Sequence, residues 1–170
     1  METIQAIKTR RSIRKFADKS VSEESVRIIL QAAMAAPSAG NEKPWHFVVV
    51  RDREMLEEIT KIHRYAQMAK EAQVAIVVCG DENLQKFRGF WVQDCSAATQ
   101  NILLAAHDQG LGAVWCGIHP SRSRVRAFRK LLGLPNHVTP LSVVPIGYPG
   151  EERPPNEGYD SARVHKEVWH

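Results

Sequence analysis

The sequence predicts an α+β domain in which helices cover both faces of a central sheet. Three observations carry that prediction. Helical and strand periodicities alternate along the chain, and no internal repeat, low-complexity tract or linker interrupts them before residue 149. The run Val74-Ala75-Ile76-Val77-Val78-Cys79 is apolar on both faces, as befits a strand buried between helices. With 170 residues, 44% hydrophobic and 25% charged, the chain is long enough to bury a core as one domain.

The elements follow in order. A first helix is expected over residues 2–9, with Ile4 and Ile7 on one side. Ser22 is placed to cap a second helix, with Glu23 and Glu24 favourably in its first turn. Its apolar stripe is Val26, Ile29, Leu30, Ala33 and Met34, and it stops at Pro37. Pro37-Ser38-Ala39-Gly40-Asn41 then reads as a compact polar loop leading to Pro44-Trp45. A strand over residues 46–50 precedes a helix capped by Asp52, whose stripe is Met55, Leu56, Ile59 and Ile62. A short helix around Gln67 leads into the central strand. The longest helix is expected over residues 90–109, ended by Gly110. Its small residues Ser96, Ala97, Ala98, Ala105 and Ala106 suit the close approach of another helix. A short strand over residues 113–117 and a helix over residues 120–132 follow, with Arg122, Arg126 and Arg129 on one helical face. Such a face is ordinarily just solvated, and otherwise attracts an anion. A last core strand spans residues 138–147. The tail over residues 150–170 has too few regular apolar positions to fold alone, yet contains Val164, Val168 and Trp169, so it is expected to dock on something.

Composition excludes some classes. No apolar run approaches the roughly 18 residues that span a bilayer. Lys8, Arg10 and Arg11 interrupt any secretory signal core, so a cytoplasmic protein without membrane partners is expected. Cys79, Cys95 and Cys116 are odd in number, and no pair has zinc-ligand spacing. They read as reduced, buried thiols, and no metal is expected.

Charge is concentrated at one place. Between Lys8 and Lys19 stand six basic residues and one acid, Asp18, against a net charge of +4 for the whole chain. Within that run, Arg10-Arg11-Ser12-Ile13-Arg14 sets three arginines around a hydroxyl. Such a group can hold a phosphate at one point and set a cation beside an electron-rich ring at another, the demand that flavin mononucleotide (FMN) makes. By itself the run also reads as a solvated basic loop or a nucleic-acid patch. It lacks the interleaved aromatics on which single strands stack, so nucleic acid is not expected.

Four motifs in order narrow the choice: Arg10-Arg11-Ser12-x-Arg14, Ala36-Pro37-Ser38-x-x-Asn41-x-x-Pro44-Trp45, Gly110-Leu111-Gly112-x-x-Trp115 and Pro145-Ile146-Gly147-Tyr148-Pro149. Together they make the sequence resemble the FMN-dependent nitroreductase family, as a short, single-domain member. The resemblance implies a three-layer α/β/α sandwich with a mixed, mostly antiparallel sheet. It implies a homodimer packed through the long helix, a domain over residues 1–149 and a tail over residues 150–170 that wraps the partner subunit. FMN is then expected at the subunit interface, with NAD(P)H as electron donor. A small electron-poor acceptor, such as a nitroaromatic or quinone, takes the hydride from flavin N5 in a ping-pong cycle. The alternatives on this fold are a flavin-dependent dehalogenase, a specialised oxidase or a non-catalytic FMN-binding sensor.

Residue by residue, the resemblance assigns Arg10 and Arg11 to the phosphate or ribityl end, Ser12 to a pyrimidine-edge atom and Arg14 to the N1–C2=O edge. There a cation stabilises charge that develops on reduction. Pro37, Ser38, Ala39 and Asn41 are expected to reach the partner's flavin. Arg64 and Gln67 stand where the family places polar ring contacts. Trp115, Cys116 and Gly117 form the segment whose backbone N–H approaches N5. No catalytic side chain is expected, and Cys116 is read as a buried spectator. One departure stands out: where larger members carry a basic pair for the phosphate, this chain has Asn156-Glu157-Gly158. Arg163 is the expected substitute, with Arg153 the other choice.

Overall fold

In the computed structural model, which describes residues 1–156 and 158–169, two helices begin where the sequence supplies a side-chain acceptor for their free N–H groups. Glu157, part of the departure noted above, lies outside the described residues, as does His170 at the end of the tail. Ser22 Oγ accepts the Ser25 N–H at 3.0 Å and opens α2 (Glu23–Met34). Asp52 Oδ1 accepts the Met55 N–H at 2.9 Å and opens α3 (Arg53–Ile62). The remaining helices are α1 (Thr3–Thr9), α4 (Trp91–Asp108) and α5 (Arg122–Leu132). Gly110 and Gly133 follow α4 and α5 in left-handed conformation, at φ of 72° and 63°.

Strands β1 (Trp45–Val50), β2 (Val74–Asp81), β3 (Gly112–Ala113), β4 (Cys116–Gly117) and β5 (Val138–Gly147) form one antiparallel sheet. Its order is β1-β2-β5-β3, with β4 also paired to β5. The parallel component is an isolated bridge from Ser12 to Ala113, which sets the basic run outside β3. Side chains of β2 alternate between two cores, as the period of a strand requires. Val74, Ile76 and Val78 pack with Val26, Ile29 and Ala33 of α2 and Ala98 and Ile102 of α4. Ala75, Val77 and Cys79 pack on the other side with Leu56 and Ile59 of α3 and Phe128 of α5. This is the three-layer sandwich. Each fully buried Ile or Leu of these faces is worth about 1.5–3 kcal/mol of transfer free energy.

The strand expected over residues 113–117 divides in two. Val114 stands opposite Pro145, which has no N–H to return, and the bond from Val114 N–H to Pro145 O is stretched to 3.4 Å. The small residues of α4 divide as well. Ala98 and Ala106 are buried in the chain's own core against α2, while Ser96, Ala97 and Ala105 remain half-buried at the surface. Of the arginines expected on one face of α5, Arg129 is turned back on carbonyls of residues 136 and 138, leaving Arg122 and Arg126 exposed. Among the described residues no helix is long and apolar enough to cross a membrane, and no cluster of metal-ligating side chains occurs.

Candidate functional site

The basic run owes its position to a missing side chain. A Cβ on Gly112 would lie 2.6 Å from Ile13 Cγ2, so glycine there lets Ile13 bury against β3. Ile13 N–H donates to Ala113 O at 3.1 Å, which turns Ser12 and Arg14 to the outer edge. The start of the tail then crosses the run. Gly150 N–H donates to Lys15 O at 2.8 Å and Asn156 N–H to Lys8 O at 3.1 Å, while Arg11 donates to Pro154 O. Glu151 accepts the Arg14 N–H at 2.6 Å and pairs with Arg153 at 2.6 Å.

These crossings enclose a cavity of about 310 Å³ lined by Arg10, Arg11, Ser12, Arg14, Arg153 and Asn156. Among the described residues, four of the six that line it are arginines and none is a carboxylate, although Glu151 pairs with Arg153 behind it. Burial, and then the neighbouring charge of Arg11, hold the Arg10 guanidinium below its ordinary pKa. Guanidinium groups gathered in this way offer several charge-assisted donors to an anion. Arg14 also lines an adjoining cavity of about 550 Å³ with Lys15, Phe16, Gln67, Met68 and Gly150. Gln67 uses its amide N–H to anchor Thr60 O at 2.7 Å.

The 115–117 segment lies within electrostatic reach of this place. Both Arg14 and Arg124 act on the Cys116 thiol, yet burial dominates and pushes that thiol up to about 11. It is no nucleophile at neutral pH. Trp115 is partly exposed, and Gly117 O accepts from His63 Nε2 at 2.8 Å and Arg124 at 3.1 Å. His63 is buried, and that burial holds its pKa below the ordinary value. The neutral ring accepts the Tyr65 N–H at Nδ1 and donates from Nε2. Arg64 and Arg124 each lie 5.6 Å from the exposed Tyr65 ring.

The loop of Pro37, Ser38, Ala39 and Asn41 lies elsewhere. Ser12 faces Ala113, Ala113 faces Ile146, and Ile146 faces Val74, whereas the loop runs into Trp45, which faces Gly80. From Val74 to Gly80 is roughly 20 Å along the strands, and the four steps from Ser12 to β1 cover a similar distance across them. One protomer therefore holds the arginines and the loop at opposite corners of its sheet. Arg163 is likewise not brought to the arginine cavity. It is largely exposed and paired with Asp160 at 3.0 Å, whereas Arg153 lines the cavity.

Some participants were not anticipated. His63 continues the apolar stripe of α3, and Asp94 interrupts the buried stripe of α4 between Trp91 and Cys95. A charged residue on a buried stripe is a legible signal, since aspartate is almost never buried without a partner.

Fold and site together define a small α+β protein with an arginine-lined cavity at a sheet edge. The nitroreductase family model matches residues 7–63 and 61–148. A protein of Methanothermobacter thermautotrophicus, provisionally named as an NADH dehydrogenase/NAD(P)H nitroreductase, is 56% identical over 99% of this chain and 88% of its own length. A structure from Parabacteroides distasonis with the same provisional name superposes with a TM-score of 0.95 at 42% identity, covering 98% of both chains. Another from Desulfovibrio desulfuricans, provisionally named a nitroreductase and solved in complex with FMN, superposes at 0.85 with 32% identity over 100% of both. The chain belongs to the nitroreductase family.

Proposed function

We propose that this chain is an FMN-dependent NAD(P)H oxidoreductase that works as a homodimer with one flavin at each interface site. The observation that carries the proposal is the cradle of Arg10, Arg11, Arg14 and Arg153 around Ser12, lined among the described residues by no carboxylate. These donors suit a phosphate at one end and the pyrimidine edge of a flavin at the other. Bound FMN would supply hydride acceptance and return at N5.

The chain's own residues do the rest. Arg10 and Arg11 neutralise phosphate charge, and binding relieves their mutual repulsion. Arg14 stands beside the N1–C2=O edge and stabilises negative charge there. Ser12 bonds the pyrimidine edge, Gln67 contributes a polar contact through its amide oxygen, and the backbone of Trp115, Cys116 and Gly117 approaches N5. We assign the second phosphate cation to Arg153, because it lines the cradle. Arg163, exposed and paired with Asp160, is not assigned to the phosphate. Pro37, Ser38, Ala39 and Asn41 meet the partner's flavin, a reading supported by their distance from the arginines of their own chain. The tail beyond residue 156 exposes Tyr159, Val164, Val168 and Trp169, with Trp169 86% exposed, and docks on the partner.

Nitroaromatics and quinones are the expected acceptors. The test is the visible spectrum of the purified protein, then anaerobic addition of NADH and of NADPH. A flavin spectrum that bleaches with either nucleotide is expected. A flavin that neither nucleotide reduces would make the protein a sensor, and no flavin after soaking with FMN would overturn the proposal.

A further inference from the structure

The 37–41 loop is fastened by two carboxylates that nothing else in the site uses. Asp94 Oδ1 accepts the Ala39 N–H at 2.9 Å, and Glu42 Oε2 accepts the Lys86 and Phe87 N–H groups at 2.5 and 3.1 Å. Both residues are buried, Glu42 at 8% and Asp94 at 4% exposure. Their other oxygens, Glu42 Oε1 and Asp94 Oδ2, are buried without a hydrogen bond, and each carboxyl acts electrostatically on the other. Two ionised carboxylates offer only acceptors and repel, so such an arrangement is costly unless one of them donates.

We propose that Glu42 and Asp94 hold one proton between them, and that this shared proton sets the 37–41 loop in position to meet the partner's flavin; the second clause rests on the function proposed above. The proton sits on Asp94 Oδ2 and is donated to Glu42 Oε1, so that both orphan oxygens are satisfied while Asp94 Oδ1 still accepts from Ala39. Burial and then Glu42 push the Asp94 carboxyl above its ordinary range. Burial pushes Glu42 up too, but the Phe87 and Lys86 N–H groups and Asp94 hold it below on balance. The other titratable groups facing the pair are the Lys86 ammonium, bonded to Gly40 O at 3.1 Å, and the Cys95 thiol, pushed up by burial. Neither bonds the orphan oxygens. Glu42 and Asp94 are thus positioning residues, acting on the flavin through the backbone of Ala39.

Asp94 has a raised pKa in the folded state, so its contribution is complete below the ordinary aspartate value and is lost as pH rises through the raised one. Above that point FMN affinity falls by up to about tenfold per pH unit. Asp94→Asn keeps an acceptor for Ala39 and a permanent donor for Glu42, so its FMN affinity carries no alkaline fall. Asp94→Leu removes both and weakens FMN binding at every pH. Infrared spectroscopy of the wild-type protein over a pH series should show a buried carboxylic-acid C=O band that disappears as pH rises through the raised Asp94 value and that Asp94→Asn lacks. Absence of that band, or the same alkaline fall in wild type and Asp94→Asn, or wild-type affinity in Asp94→Leu, would overturn the proposal. If wild-type protein binds no FMN at any pH, the function above fails instead. The infrared band and the protection of the Ala39 amide relative to its intrinsic exchange rate, falling with rising pH in wild type only, then decide the shared proton on their own.

Discussion

The two halves of the candidate site are held by opposite means. At one corner of the sheet, Arg10, Arg11, Arg14 and Arg153 crowd like charges around a cavity. At the other, the 37–41 loop hangs on two buried carboxylates and on backbone strain, with Gly40 and Asn41 at φ of 53° and 54°. The first corner keeps an excess of positive charge around its cavity even with Glu151 paired to Arg153. The second is internally satisfied once it holds a proton, and presents a fixed shape. A cofactor that needs charge at its phosphate and shape at its ring edge is served by both.

That comparison is sharpened first by removing charge. Arg14→Ala is expected to weaken FMN binding roughly 10- to 100-fold, the worth of one charge-assisted hydrogen bond. Arg10→Met should weaken binding similarly while leaving the ligand-free protein as stable as wild type or more so, because it removes a guanidinium that burial and Arg11 already disfavour. Fluorescence titration with FMN beside a denaturant melt separates the two effects, and a loss of ligand-free stability would count against the crowded-cation view. Next in size is Gly112→Ala. Its Cβ would lie 2.6 Å from Ile13 Cγ2, so the basic run must shift, at about 1–3 kcal/mol of stability by chemical denaturation. FMN affinity should fall with it. Gly40→Ala acts on the other corner: the left-handed φ and a contact of 2.5 Å with Phe87 Cε2 cost about 1–2 kcal/mol. The smallest effect is expected of Arg163→Ala, within about twofold of wild type in FMN affinity, as for an exposed charge paired only to Asp160. Arg153→Ala should exceed it.

The two corners also differ in how far the sequence revealed them. The arginine run was legible because charge concentration survives in one dimension, and the caps at Ser22 and Asp52 and the core strands were legible because their period is local. The split of β3 from β4 was not, since it turns on Pro145 standing opposite Val114, a pairing that exists only in the sheet. Arg153 entered the cradle because the tail folds back across residues 8–15, another long-range event. Glu42 and Asp94 lie 52 positions apart, and only Asp94 left a trace, as a charge on an apolar stripe.

The separation of the corners has a genetic consequence. If each site takes its arginines from one subunit and its loop from the other, a chain stripped of Arg10, Arg11 and Arg14 together and a chain disabled in the loop are both inactive as homodimers. Mixed together, they form dimers in which one site inherits both defects and the other inherits neither. Two null alleles would then rescue each other in one cell, and the restored activity would count the mixed dimers.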